Sequence, residues 1–278
     1  MNLFEQTINT VLAKQDAFTV LRPAVEKEIL HHDILRTLSK AGLLQKLTFM
    51  GGTCLRACYG FPRLSEDLDF TGGLDFRKDI LSGFGDLLKN NIWQKYNLKA
   101  DVLDPVKEGG NTHTWKVKIT TAPERSDLRQ QRINIDVCAL PSYERRPVML
   151  RNHYGLDTGT SGLIIMAESL GEILADKIVA VAMRPNRVMN RDLWDIYQLK
   201  ARNVDLSVDL VKQKLSDRKV DFTRFQQRYA ERLTRLQTQQ QEFWREIPRF
   251  LSPEVITNEF KEPLWWENLL YILKDWQI

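Results

Sequence analysis

The stretch Phe49-Met-Gly-Gly-Thr-Cys-Leu-Arg-Ala-Cys-Tyr-Gly-Phe-Pro-Arg-Leu-Ser-Glu-Asp-Leu-Asp-Phe70 decides how the chain is read. It joins an apolar run, Leu47 to Met50, to a Gly51-Gly52-Thr53 turn, and ends on Asp67 and Asp69 alternating with Leu68 and Phe70. If residues 66–71 form a strand, successive side chains take opposite faces, so the two aspartates share one face while Leu68 and Phe70 anchor the other. Carboxylates about 7 Å apart at Cα can converge on hard cations. Two magnesium ions are a common clamp for in-line phosphoryl displacement. The glycines allow close backbone approach, and N–H groups opening a helix favour an anion. Alone, Asp-x-Asp is usually solvated and Gly-Gly usually a plain turn. Their succession, after a strand and around a helix, points to phosphate chemistry. The turn lacks the Gly-Lys-Ser/Thr of a P-loop and the Gly-x-Gly-x-x-Gly of a dinucleotide fold.

Outward from this stretch, Arg132 to Cys138 alternates cleanly, with Ile133, Ile135 and Val137 on one face and Arg132, Asn134 and Asp136 on the other. Asp136 is therefore the candidate third carboxylate. His113 to Thr120 alternates as well, its Thr114, Lys116 and Lys118 face reading as solvated or, less readily, as a nucleic-acid contact. Further strands are expected over 98–103 and 163–166, a turn at 108–111, and an irregular segment over 141–162. Upstream, 1–45 reads as helical, with Pro23 in the first turn of a helix ending near Gly42. His31 and His32, adjacent on that helix, read as surface or packing residues rather than metal ligands. Thr53 is placed to cap the helix of Leu55, Arg56 and Tyr59. Arg56, Arg63 and Ser65 each allow two readings, contact with a phosphate or support of the carboxylate strand. Residues 76–91 read as an amphipathic helix.

From Glu168 the apolar period becomes helical, and the boundary is set between 1–165 and 166–278. Lys177 falls on the stripe of Leu170, Ile173, Leu174, Ile178 and Val181, where it either snorkels outward or is held inside to neutralise a phosphate. Glu172 and Asp176 read as solvated. After Arg184-Pro185, a helix carries Arg191 and Asp195 at ion-pair spacing, and Asp192, which is placed to orient Lys177 or a substrate. Beyond Asp205 the chain reads as helical and basic, through Lys212, Lys214, Arg218, Lys219, Arg224, Arg228, Arg232 and Arg235: a solvated face or an RNA-facing one. Trp265, Trp266, Leu269, Leu270 and Ile272 suggest a closing helix.

The chain has 278 residues, 43% hydrophobic and 27% charged, with a net charge of +4. These are ordinary values for a globular protein, and the charge permits an anionic partner without demanding one. Cys54, Cys58 and Cys138 lack paired spacing or histidine neighbours, which argues against zinc and against a disulfide frame. No apolar run reaches the roughly 20 residues of a membrane span. No secretion signal is seen, so the expected location is cytoplasmic. His113 and His153 have no evident nucleophile partner.

Met50-Gly51-Gly52, Asp67-Leu-Asp-Phe70 and Ile135-Asp-Val137 together resemble the signature of the DNA polymerase β-like nucleotidyltransferase superfamily. The longer wording, with Glu172-Ile-Leu-Ala-Asp-Lys177 and Arg191-Asp-Leu-Trp-Asp195, is similar to the AbiEii/AbiGii toxin family, which includes the MenT toxins. The motifs span residues 49 to 195. The resemblance implies an α+β fold, a mixed sheet flanked by helices, followed by a helical C-terminal domain. It implies a bacterial toxin–antitoxin or phage-defence toxin that moves a nucleotide from an NTP to an RNA acceptor, the tRNA 3′ end in some relatives, and so blocks translation. It also implies two Mg2+ ions on Asp67, Asp69 and Asp136. Gly51, Gly52 and Thr53 would contact the nucleotide, with Arg56 and Ser65 as further candidates. Lys177 and Asp192 would assist, and a neighbouring gene would encode an AbiEi-like antitoxin. The alternatives are nucleotidylation of a small molecule or protein side chain, or an inactive partner-binding protein of the same fold.

Overall fold

The computed structural model describes residues 2–106, 110–124, 130–259 and 264–276, so Glu108 and Gly109 of the expected turn lie outside the described residues. The chain divides into two compact units, Met1–Ala167 and Glu168–Ile278.

The first unit begins with helices α1 (Leu3–Lys14) and α2 (Arg22–Lys40). Asn2 caps α1, and Pro23 lies in the first turn of α2, where its missing N–H costs no hydrogen bond. Then follow β1 (Thr48–Met50), α3 (Gly51–Ala57), β2 (Leu68–Thr71), α4 (Phe84–Tyr96), β3 (Ala100–Leu103), β4 (Thr112–Ile119), β5 (Gln131–Cys138), β6 (Arg145–Met149) and β7 (Ile164–Glu168). The seven strands form one mixed sheet in the order β3-β4-β5-β2-β1-β7-β6. Strand β2 runs antiparallel to β1 and parallel to β5. The alternation in β4 and β5 puts Trp115, Val117, Ile119, Ile133, Ile135 and Val137 in the core, all at most 1% exposed. Phe49 and Phe70 stack there with ring centroids 5.1 Å apart. Each such fully buried side chain contributes on the order of 1.5–3 kcal/mol.

Two expectations change in this unit. The helix expected at 76–91 is α4, starting only at Phe84, because Gly83 in the left-handed region (φ +78°) separates it from a short 3-10 turn at Lys78–Leu81. The segment 141–162 contains a strand, β6, whose side chains are mostly exposed and which includes Pro147. It lies at the sheet edge, where a residue without an N–H is tolerated. His31 and His32 are buried packing residues: His32 Nδ1 is 2.7 Å from Thr160 Oγ1, and burial lowers the pKa of His31 to about 4.

The second unit is helical: α5 (Leu170–Met183), α6 (Asn190–Ala201), α7 (Val208–Asp217), α8 (Phe222–Leu236), α9 (Gln240–Glu246), α10 (Pro253–Glu259) and α11 (Trp265–Asp275). Ser169 caps α5 by accepting from Glu172 N at 3.0 Å. Trp194 and Trp265 stack at 5.8 Å, and Phe243 lies 4.8 Å from Trp265, so the aromatic residues of α6, α9 and α11 make one core. On α11 the buried residues are Trp265, Trp266, Leu269 and Leu273.

Glu172 and Asp176, expected in solvent, instead surround a buried lysine. Lys214 Nζ lies 3.1 Å from Glu168, 2.6 Å from Glu172 and 2.8 Å from Asp176, and Arg218 meets Asp176 at 2.9 Å. Arg228 donates to Ala182 O and Arg232 to Arg184 O, so these members of the basic C-terminal set serve the interior of their own unit.

Candidate active site

The acidic site lies where β1, β2 and β5 run side by side. Asp69 on β2 is the register partner of Asp136 on β5, and of Met50 on β1. At a strand spacing of roughly 4.8 Å, parallel pairing sets the Asp69 and Asp136 backbones abreast. Asp67 falls one residue short of the strand, on the bend before Leu68, and its Oδ1 accepts from Asn134 N at 2.9 Å. The bend is held from several sides. Thr53 Oγ1 donates to the Asp67 carbonyl, Lys27 pairs with Glu66 at 2.9 Å, and His31 Nε2 lies 3.0 Å from the Glu66 carbonyl. Thr53 therefore fastens the aspartate bend rather than capping α3.

The glycine turn closes directly on this pair. Gly51 is left-handed (φ +75°), and a Cβ there would lie 2.6 Å from Asp69 Oδ2. A Cβ on Gly52 would clash with the Arg63 guanidinium and come within 3.3 Å of Ser65 Oγ. The Arg63 and Ser65 side chains thus lie beside the turn. Gly51→Ala is expected to cost about 1–2 kcal/mol in stability from left-handed strain. It should abolish activity more completely than it unfolds the protein, because the new methyl displaces the Asp69 carboxylate. Parallel urea titrations and activity assays would check this; an active variant would contradict the close approach.

Burial raises the pKa of Asp136 and the charge of Asp67 raises it further, against a lowering hydrogen bond from Thr114 Oγ1 at 2.5 Å. A carboxylate whose charge is disfavoured by burial and by a neighbouring aspartate can be a donor for a hard cation, and an all-oxygen set fits Mg2+. Among the described residues, however, no group of three or more such side chains is already arranged to hold a metal ion. Asp67 Oδ1 and Asp136 Oδ1 are instead engaged by Asn134 and Thr114. The donor chemistry fits, with Asp69 and Asp136 at its centre.

Arg56 is buried and committed to Glu28, with Nε–Oε1 at 2.8 Å, which removes it from the nucleotide-contacting set. Burial pushes Glu28 up, but the Arg56 charge and hydrogen bond, with His153 and Tyr154, outweigh it and hold the carboxyl at about 2. A folded pKa below the unfolded value gives stability that is present above about pH 4.5 and lost as pH falls towards 2. Arg56→Ala is expected to cost about 3 kcal/mol at pH 7, read by urea denaturation, since it strands a buried carboxylate. Unchanged stability with lost nucleotide affinity would return Arg56 to the site.

Lys177 and Asp192 lie in the second unit and meet each other. Lys177 Nζ is 2.8 Å from both Asp192 Oδ1 and Asp195 Oδ2, and Arg184 holds the other Asp192 oxygen at 2.9 Å. The lysine is held inside, and Asp192 orients it. The Arg191 guanidinium lies 5.0 Å from the centre of the Phe250 ring. Thr114 and Asn134 were not singled out from sequence. Their only signal was their place on the same alternation as Asp136.

Residues 33–266 match the family described as "Nucleotidyl transferase AbiEii toxin, Type IV TA system". The chain belongs to the AbiEii family. Its fold is the α+β, polymerase β-like nucleotidyltransferase fold followed by a helical region. The fold of this AbiEii protein is similar to that of MenT4, a nucleotidyltransferase toxin of Mycobacterium tuberculosis, at 18% identity and a TM-score of 0.54, over 73% of this chain and 67% of that one. It is also similar to JHP933 of Helicobacter pylori, at 16% identity and a TM-score of 0.53, over 90% and 91% of the two chains. No curated protein matches the sequence. Among the described residues no helix is long and apolar enough to cross a membrane.

Proposed function

We propose that this AbiEii protein transfers a nucleotide from an NTP to an RNA acceptor, the 3′ end of a tRNA, and that this transfer is its toxic activity. One observation carries the reading: Asp69 and Asp136 stand abreast on adjacent strands, with the Gly51 turn closed against Asp69. The acceptor hydroxyl oxygen bonds to the α-phosphorus, the bond from that phosphorus to the bridging oxygen breaks, and pyrophosphate leaves. The hydroxyl proton passes to Asp136, whose raised pKa suits a base. The Gly51–Thr53 backbone and Ser65 position the triphosphate. Asp67, Asp69 and Asp136 would hold magnesium, which would supply positive charge to the phosphate oxygens. The remaining catalysis is positioning and electrostatics, with no covalent protein intermediate. An AbiEi-like antitoxin encoded nearby is the partner that restrains it.

The test is incubation of the purified protein with Mg2+, total tRNA and each α-labelled NTP in turn. Label on tRNA with one NTP, absent when EDTA is added, is the expected result. Label on protein or small molecules alone would replace the RNA acceptor with the alternative class.

A further inference from the structure

Asp136 belongs to a sheet face that continues beyond the carboxylates. Thr114 bonds to Asp136 across the β4–β5 pair, which fixes Thr114, Lys116 and Lys118 on the same face as Asp136, Asn134 and Arg132. Lys116 stands opposite Asn134, whose N–H holds Asp67, and Lys118 stands opposite Arg132. These rows lie about 7 Å and 14 Å from the Asp136 row, at roughly 3.4 Å per residue. Lys116 and Arg132 are exposed and Lys118 half-buried. Among the described residues none of the three forms an ion pair. Like charges directly opposite on antiparallel strands are destabilising, and Lys118 facing Arg132 is such a pair, with Asp101 across from Lys118 on its other side. An anion lying along the face would relieve that repulsion.

The strand order separates the basic rows from the glycine turn. The glycine turn follows β1, on one side of the carboxylates, and the basic rows lie on β4 and β5, on the other. At roughly 4.8 Å per strand and 3.4 Å per residue, Lys118 lies about 20 Å from the Gly51 turn, beyond a triphosphate seated there, so a phosphate on these rows would belong to a second molecule. We propose that Lys116, Lys118 and Arg132 form the track for the acceptor RNA strand, contacting successive phosphates and leading its terminal hydroxyl to Asp136. This rests on the transferase reading above and adds the acceptor's path to it.

The experiment uses the full chain and a synthetic RNA hairpin with a single-stranded 3′ overhang, fluorescein-labelled at its 5′ end. Anisotropy titrations at several KCl concentrations compare the wild type with Lys116→Ala/Arg132→Ala and with Lys116→Glu/Arg132→Glu. Both positions are exposed, and thermal unfolding checks that the variants fold. Affinity should fall on the order of tenfold in the alanine pair and further in the glutamate pair. The slope of log affinity against log salt should shrink by about 0.7 for each phosphate that the variant no longer neutralises. In the transfer assay the KM for RNA should rise while the KM for NTP holds. Folded variants that bind RNA with wild-type affinity and slope would overturn the track, as would a protein ligand on this face that leaves RNA binding untouched. Because binding is read without NTP, the two readings separate. RNA bound through these residues but never labelled would sink the transferase and keep the track; RNA labelled equally by the variants would do the reverse.

Discussion

Asp69→Asn is expected to lower nucleotide transfer at least about a thousandfold, the scale on which removal of a single electrostatic partner of a phosphoryl or acyl transition state acts. The substitution keeps the side chain's size and removes its charge, so the fold should hold. Asp69 sits between Met50 and Asp136 in the sheet register, and it is the residue that the Gly51 turn approaches. Loss of charge at 69 should also ease the repulsion within the site, so thermal stability should be unchanged or slightly higher. Growth inhibition on expression should disappear in parallel with transfer. A variant that stays toxic with its transfer lost would separate toxicity from this chemistry and favour a partner-binding role.

The second large effect is on stability. Lys214→Ala is expected to destabilise the protein by about 5 kcal/mol at pH 7.5, the upper end of what breaking a buried ion pair costs. The reason is the number of carboxylates it serves. Glu168, Glu172 and Asp176 all lie within 3.1 Å of its Nζ, and two of the three are fully buried. Burial lowers the lysine's affinity for its proton, but the three carboxylates outweigh that and hold its pKa above the usual lysine range. A raised pKa gives stability that is full below the unfolded value and is lost only as pH rises through the folded one, so the lysine stays charged throughout the neutral range. Glu168 is raised too, by burial first and then by the charge of Asp176. Its contribution is full below about pH 4.5 and fades as pH rises. Removing the cation leaves carboxylates that acid can neutralise, so the deficit of the variant should shrink markedly between pH 7.5 and pH 5. Urea denaturation at both pH values reads this. Equal deficits at the two, or a deficit below about 1 kcal/mol, would mean that the cluster is solvated.

Much of the sheet was legible because strands β4 and β5 are half-covered. An alternation that buries Trp115, Val117, Ile133 and Ile135 leaves Lys116, Lys118, Asn134 and Asp136 on the other face by geometry alone. The pairing of Asp69 with Asp136 depends on parallel register between segments far apart in the chain, which periodicity does not encode; there the family resemblance supplied the link. Single-residue roles were the least legible. Arg56 and Arg63 flank the same motif, yet one is drawn inward by Glu28, a residue on another helix, and the other lies beside Gly52. Glu172 and Asp176 looked solvated because the lysine that gathers them is distant in sequence. The start of α4 was missed because Gly83 gave no apolar break to mark it.

The most direct measurement is a crystal structure of the protein with Mg2+ and a non-hydrolysable NTP analogue. The expected result is a triphosphate lying along the Gly51–Thr53 turn, with metal density bound by Asp69 and Asp136. A nucleotide bound elsewhere, with those two carboxylates touching neither metal nor phosphate, would contradict the proposed catalytic centre.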